Sequence, residues 1–237
     1  MKFGAALCAA LMSNSAVSKP LGVHVAISGA DGMVVSWSQN TPLQSGAPPP
    51  QVKYGLSKDD LSLMNVDGQM KSYLTGATVH CHATLRPLAA STTYYYSIFD
   101  ADEGAWAEPL EFATVAGPES RSLIFAVYGD LGEEEKRHNG NSTIEWLGSV
   151  DNHLDLIWHV GDVGYADDSF LHEGCEEVSC YEEVWDDYLV EMQASAGVSR
   201  TPWMTTPGNH EVKCFFRNSN AGTCRCLLFR CIVNNRE

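Results

Sequence analysis

The chain has 237 residues, of which 44% are hydrophobic and 19% are charged, and its formal net charge is −15. This composition excludes an intrinsically disordered protein, and the length suits one large domain or two small ones. The acidic balance argues against a nucleic-acid-binding protein and against docking to an anionic membrane surface. After the N-terminus, no apolar run reaches the roughly 18 residues that a membrane span requires. No repeat period is present, which excludes collagen, coiled coils and low-complexity arrays.

Residues 1–18 predict a secretory signal peptide. Lys2 precedes an apolar stretch from Phe3 to Met12, and small residues follow at Ala16-Val17-Ser18. A positive start, a short apolar core and a small-x-small cleavage site are typical of such peptides. The alternative is a short buried element at the start of a cytosolic domain. We therefore expect a secreted, extracellular protein.

Secretion would allow two covalent modifications. Cys175 and Cys180 bracket a short acidic loop and could form a disulfide in an oxidising compartment. Asn141-Ser142-Thr143 matches the acceptor pattern for N-linked glycosylation, which predicts a glycan on Asn141.

Residues 20–116 predict an all-β domain. Val23–Ile27 and Met33–Ser38 alternate between apolar and polar residues, and the turn-forming segment 28–32 separates them, as in a hairpin. About 95 residues of this pattern are typical of an immunoglobulin-like or fibronectin type III-like sandwich. Four further strands are predicted at Gln51–Tyr54, Ala77–Leu85, Thr92–Phe99 and Leu110–Val115.

Residues 121–212 predict a different, α/β domain, with the boundary at 116–121. Leu123–Tyr128 is a nearly continuous apolar run, which predicts a strand buried on both faces. Alternation of strands and helices indicates a parallel sheet with helices on its faces, in the order βαβαβ. The remaining elements are predicted as helices at Ser142–Val150 and Tyr181–Met192 and strands at Leu154–Val160 and Pro202–Thr206.

The three predicted strands of this domain all end in glycine and polar residues. Because ligands bind beyond the carboxyl ends of the strands in an open α/β sheet, these three turns should converge. Carboxylate, phenol, amide and imidazole groups together suit a cation such as iron, manganese or zinc. Each motif alone is most often only a turn, but the three in this order predict a metal site. The motifs are Gly129-Asp130-Leu131-Gly132, Gly161-Asp162-Val163-Gly164-Tyr165 and Gly208-Asn209-His210-Glu211.

The three motifs, in this order, resemble those of the metallophosphoesterase superfamily. A tyrosine three residues after the second aspartate, here Tyr165 after Asp162, resembles the pattern of the purple acid phosphatases. In the front domain, Gly32–Trp37, Thr78–Leu85 and Thr92–Tyr96 are similar to the fibronectin-like domain of the large plant and fungal members. The resemblance implies an acid phosphatase that hydrolyses phosphate monoesters through a dinuclear metal site. It implies neither a nucleic-acid nor a membrane partner, and it leaves a homodimer open.

The resemblance also implies a role for each matching residue. Asp130 and Tyr165 would bind Fe(III), and Asp162 would bridge it to a divalent zinc, manganese or iron ion. Asn209 would bind that divalent ion. His210 would be the catalytic histidine, which contacts the substrate phosphate or assists proton transfer. Two metals in such a site clamp the attacking and leaving oxygens of an in-line displacement.

The sequence departs from the family after Glu211. The resemblance implies three further histidine ligands, in Val-x-x-His and Gly-His-x-His motifs, and neither motif follows Glu211. Residues 213–237 instead hold five basic residues, one acidic residue and four of the eight cysteines. We interpret 213–237 as an aberrant tail produced by a misread exon or frameshift, with a natural short variant as the alternative. The chain as written is therefore expected to be impaired as an enzyme.

Two other functions stay open at this point: a non-catalytic secreted binding module, and another metallophosphoesterase such as a phosphodiesterase or nucleotidase. His80 and His82 share a strand face, and His159 lies within a predicted strand; we interpret all three as structural. An acidic region is predicted to be a solvated loop and helix face. Its members are Asp167, Asp168, Glu173, Glu176, Glu177, Glu182, Glu183, Asp186, Asp187 and Glu191.

Overall fold

The computed structural model describes residues 20–39, 49–72, 78–101, 103–117, 122–132, 141–149, 154–171 and 180–211. The strands are β1 Leu21–Ile27, β2 Met33–Gln39, β3 Gln51–Gly55, β4 Met64–Asp67, β5 Gln69–Ser72, β6 Val79–Leu85, β7 Thr93–Asp100, β8 Ala105–Trp106, β9 Leu110–Ala113, β10 Phe125–Tyr128, β11 Leu156–Val160 and β12 Trp203–Thr206. The helices are α1 Asn141–Gly148, α2 Tyr181–Ala194 and α3 Ala196–Arg200, with a 3-10 helix at Ala166–Leu171.

The first domain is an antiparallel β-sandwich, as the sequence predicts. One sheet has the strand order β1-β2-β6-β5, and the other is built from β4, β3 and β7 with β8 and β9 paired to β7. Alternating apolar side chains from both sheets form the core, where Trp37, Tyr96 and Phe112 are almost completely buried. The prediction missed β4, β5 and β8, because these strands are only two to four residues long.

The second domain is a three-stranded parallel sheet, β10-β11-β12, with helices α2 and α3 packed on one face. The register pairs Ala126 with Ile157 and Ile157 with Trp203, which sets all three strand ends at one edge. Trp185 and Tyr188 of α2 pack against this face and are buried. The predicted βαβαβ order is confirmed. Among the described residues, no helix has the length and apolar character needed to cross a membrane.

The two domains share an interface in which α2 packs on β1. The backbone N–H of Val23 donates to Gln193 Oε1 at 3.1 Å, and the ring of His24 meets Trp203 edge-on with centroids 5.5 Å apart. Gly22 has φ +60°, and a Cβ there would lie 2.8 Å from the Cβ of Leu189. A side chain at residue 22 would therefore push α2 away from the sandwich.

The outer face of β6 carries His80, which is buried, and His82, which is half-buried. His80 Nε2 lies 3.8 Å from Asp186 Oδ1 of α2, and His82 Nδ1 lies 2.9 Å from Ser36 Oγ. Burial lowers the pKa of His80 to about 4. Burial, together with the charges of neighbouring histidines and a lysine, lowers the pKa of His82 to about 3. Both side chains are packed parts of β6, which agrees with their structural interpretation.

His159 of β11 is also structural. The side chain is fully buried, and its Nδ1 lies 3.0 Å from Tyr188 Oη of α2. Burial lowers the pKa of His159 to about 3. The neutral ring packs against Tyr128 with ring centroids 4.4 Å apart, so it joins β10, β11 and α2.

The prediction that residues 123–128 are buried on both faces is wrong. Ala126 is buried, but Phe125 and Val127 are 51% and 52% exposed, and Trp158 and Val160 of β11 are 42% and 41% exposed. Helices α2 and α3 pack on the opposite side of the sheet, where Ala126 and Ile157 are buried. We call the four exposed residues the open sheet face.

Acid should destabilise the protein through its buried histidines. Between pH 6.5 and about 3, an unfolded chain protonates His82 and the folded protein does not, so the free energy of unfolding falls as the pH decreases. Each such histidine contributes at most about 1.4 kcal/mol per pH unit. We expect His82→Gln to make this decline shallower in urea unfolding curves recorded from neutral to acid pH. Parallel declines in the variant and the wild type would contradict the assignment.

The open sheet face should bind a hydrophobic dye and promote self-association. We expect Phe125→Thr combined with Trp158→Thr to reduce dye fluorescence and the aggregated fraction seen by sedimentation, because threonine keeps the strand propensity and removes the apolar area. Leu56→Thr is the matched control, since Leu56 is 59% exposed but lies on the sandwich. If Leu56→Thr reduced dye fluorescence and aggregation as much as the double variant, the open sheet face would not be the site of dye binding and self-association.

Candidate metal centre

The loops that follow β10, β11 and β12 meet at the carboxyl edge of the parallel sheet. The Tyr165 hydroxyl donates to Asp130 Oδ1 at 2.7 Å, which joins the first loop to the second. The backbone N–H of His210 donates to Asp162 Oδ1 at 2.9 Å, which joins the third loop to the second. The rings of Tyr165 and His210 lie with centroids 4.2 Å apart. The structure thus brings Asp130, Asp162, Tyr165 and His210 together.

Three of these residues have an unusual backbone conformation. Asp130, Asp162 and Tyr165 have φ values of +54°, +49° and +53°, and among the described non-glycine residues only Ser91 shares this feature. Left-handed backbone at such residues costs about 1–3 kcal/mol each and persists only where the surroundings enforce it. Such conformations cluster at functional sites, so these outliers favour a functional role for the loops.

Backbone contacts hold the three loops in register. The N–H of Asp130 donates to the carbonyl of Gly161 at 3.2 Å, and that of Gly132 donates to Val163 at 3.0 Å. Gly208 approaches the second loop so closely that a Cβ there would overlap Asp162 Oδ1. Glycine is therefore required at residue 208.

The prediction of a solvated acidic region is wrong for Asp167 and Glu182, which are 3% and 7% exposed. The 3-10 helix at Ala166–Leu171 carries Asp167 inward, where its Oδ1 lies 2.7 Å from His210 Nδ1. Sequence analysis missed this residue, although its place two residues after Tyr165, in the same loop, was a usable signal.

The contact with Asp167 selects the tautomer of neutral His210. Neutral His210 donates its Nδ1 proton to Asp167, which leaves Nε2 as the free acceptor. Asp168 Oδ2 lies 3.9 Å from the same nitrogen, and the three side chains are close enough to surround a cation. Because Nδ1 and Asp167 Oδ1 are at hydrogen-bond distance, we interpret them as a hydrogen-bonded pair and not as a ligand set.

The electrostatics of Tyr165 test whether this edge suits a metal. Burial raises the pKa of the phenol, and the hydrogen bond to Asp130 and the charges of Asp130, Asp162 and Glu211 raise it further. Without a cation the phenol keeps its proton and donates it to Asp130. A bound cation would reverse this balance by offsetting the carboxylates. The residues therefore fit a cation that takes hard oxygen ligands.

The other predicted residues lie as follows. Asn209 is exposed between Gly208 and His210, both of which contact Asp162, so it lies at the rim of the same cluster. Asn141 is the first residue of α1, and its glycosylation stays a prediction. Cys180 precedes α2 and is disulfide-bonded, whereas Cys175 lies outside the described residues.

Comparison with known proteins matches both domains. Residues 20–114 match the family model "Purple acid Phosphatase, N-terminal domain", and residues 123–232 match "Calcineurin-like phosphoesterase". The second match continues into the segment 213–237 that composition sets apart. The fold is thus that of a metallophosphoesterase domain preceded by a β-sandwich.

Similar proteins specify the family within that class. Purple acid phosphatase 22 of Arabidopsis thaliana is 30% identical over 205 residues, which cover 84% of this chain and 39% of the relative. Acid phosphatase A of Cryphonectria parasitica is 28% identical, with 84% and 42% covered. Fe(3+)-Zn(2+) purple acid phosphatase 12 of Arabidopsis thaliana is 27% identical, with 82% and 38% covered. The chain belongs to the purple acid phosphatase family, and it spans about two fifths of the length of these curated relatives.

Removing Asp167 should change the tautomer of His210. In the wild type the Nδ1–H form is held by the buried carboxylate, so Asp167→Ala should shift neutral His210 toward the Nε2–H form. Long-range ¹⁵N–¹H NMR spectra of the His210 ring measure this directly. Asp168→Ala is the matched control because Asp168 lies farther from the same nitrogen. An unchanged tautomer in Asp167→Ala would contradict the pairing.

Proposed function

We propose that the protein is an acid phosphatase that hydrolyses phosphate monoesters with an iron-containing dinuclear site. The observation that carries this proposal is the 2.7 Å contact between the Tyr165 phenol and the Asp130 carboxylate, because a phenol and a carboxylate at one sheet edge suit a ferric ion. Membership of the purple acid phosphatase family supports it.

The ligand roles are those that the resemblance implies, and the meeting of these side chains at one sheet edge supports them. Asp130 and Tyr165 would hold Fe(III), and Asp162, between the first and third loops, would bridge to a divalent zinc, manganese or iron ion. Asn209 would bind the divalent ion. A relative named as an Fe(3+)-Zn(2+) enzyme supports this pairing of metals. When bound, the two ions supply Lewis acidity to the phosphate ester and acidify water.

His210 would serve the substrate and not the metals. Asp167 accepts a hydrogen bond from Nδ1–H of His210, so Nε2 is free to accept a hydrogen bond or, when protonated, to donate one to the phosphate or the leaving-group oxygen. Asp167 is buried behind the ring and acts only through it. The pair therefore orients the imidazole before substrate binds.

A second metallophosphoesterase activity, on phosphodiesters or nucleotides, is the competing proposal. Tyr165 favours the phosphomonoesterase, because the resemblance associates a tyrosine at this position with the purple enzymes. A non-catalytic binding module would need no metal cluster, whereas three strained residues here meet at one edge.

We also propose that the protein is secreted, with residues 1–18 as its signal peptide, a Cys175–Cys180 disulfide and a glycan on Asn141. We further propose that the mature chain has domains at residues 20–116 and 121–212. Secretion fits the oxidised state of Cys180. Mass spectrometry of the secreted chain would identify the mature N-terminus, the disulfide and the glycan together.

Tyr165→Phe should remove the colour of the iron-loaded protein. A phenolate bound to ferric iron absorbs visible light by charge transfer, and phenylalanine cannot form that bond. Tyr128→Phe is the matched control, because Tyr128 packs on His159 in the core. The band should persist in Tyr128→Phe, and a visible band that survives Tyr165→Phe would overturn the ligand assignment.

Turnover by residues 19–237 should be low. Only four of the ligands that the resemblance implies are present, namely Asp130, Asp162, Tyr165 and Asn209, and they would be divided between two metals. The divalent ion would therefore be weakly held. We expect little hydrolysis of an aryl phosphate at acid pH with iron and zinc or manganese supplied, and none from Asp162→Ala. Strong turnover that Asp162→Ala abolishes would show that these ligands suffice.

A further inference from the structure

The carboxylate of Glu211 joins the second and third loops of the site. Its Oε2 accepts the backbone N–H of Asp162 at 2.9 Å and that of Gly208 at 2.7 Å, and its Oε1 accepts the N–H of Val163 at 2.8 Å. Glu211 is only 8% exposed, so these three bonds are shielded from water. A buried carboxylate with three backbone donors is a strong and specific link.

The link acts on the residue proposed to bridge the two metals. Asp162 has φ +49°, a conformation that its surroundings must enforce. Glu211 holds its N–H, and the N–H of His210 holds its Oδ1 at 2.9 Å. Gly208 leaves no room for the Asp162 carboxylate to swing toward the third loop. The backbone and the side chain of Asp162 are therefore both fixed by residues 208–211.

The three donors require a carboxylate of this length. Glutamine at residue 211 would have one acceptor oxygen, and its NH₂ group would face at least one of the three backbone N–H groups. Aspartate would keep the charge but is one methylene shorter, so it could not reach both Val163 and Gly208 in the same position. Either change should release part of the second loop.

We infer that Glu211 is a positioning residue, which holds the Asp162 carboxylate in the orientation that metal binding requires. This inference rests on the proposed function for the identity of the ligand. A merely structural Glu211 would lower the stability of the fold without altering metal binding by the protein that remains folded.

The test compares the 237-residue chain with Glu211→Gln, Glu211→Asp and Gly208→Ala. Binding of Zn²⁺ and Mn²⁺ is measured by calorimetry on the folded fraction, and the visible band is recorded with Fe³⁺. We expect Glu211→Gln to weaken metal binding by at least about tenfold, as loss of an outer-shell partner typically does. Gly208→Ala should have a similar effect, and the ferric band should shift in both variants.

The matched control is Glu145→Gln, which removes the same charge from the exposed face of α1. It should leave the metal affinity and the ferric band unchanged. Wild-type affinity in folded Glu211→Gln, or an equal loss in Glu145→Gln, would overturn the positioning role. If Glu211→Gln does not fold, Glu211→Asp decides the question by the same readouts.

Amide exchange separates this inference from the proposed function. Faster exchange of the Asp162, Val163 and Gly208 N–H groups in Glu211→Gln supports the link, and unchanged exchange overturns it, whether or not metal binds. A wild-type chain that binds none of the three metal ions would overturn the proposed function, and in that case the amide exchange alone would decide the link.

Discussion

The parallel register of β10, β11 and β12 is the constraint on which the site depends. It sets the three strand ends at one edge, so that the loop residues that follow each strand lie close to one another. Glycines at 129, 161 and 208 begin the three turns, and at Gly208 any side chain would overlap Asp162. Hydrogen bonds from one loop to the next then position side chains that are far apart in sequence.

Much of this arrangement could be predicted from the sequence because it is local. Each loop carries its own signal, an apolar strand followed by glycine and a polar residue, and the edge where the loops meet follows from the parallel order. The sandwich strands with clear alternation, such as Met33–Gln39, were also within reach. Short polar strands such as Gln69–Ser72 were not, since only their neighbours in the sheet define them.

The parts that could not be predicted depend on tertiary contacts. Asp167 reads as one member of an acidic run, and only the 3-10 helix that turns it toward His210 makes it a buried partner. Phe125 and Val127 read as core residues, and their exposure depends on which faces of the sheet other elements cover. In both cases the sequence shows whether the side chain is acidic or apolar, but it does not show which other elements pack against it.

Helix α2 is part of the hydrophobic core of the second domain and also contacts β1 of the sandwich. Trp185 and Tyr188 pack under the parallel sheet, and Leu189 and Gln193 of the same helix meet Gly22 and Val23 of the sandwich. Neither domain can lose the helix without exposing part of its own surface to water. The two domains are consequently coupled through α2, so that the sandwich supports the helix on which the parallel sheet is packed.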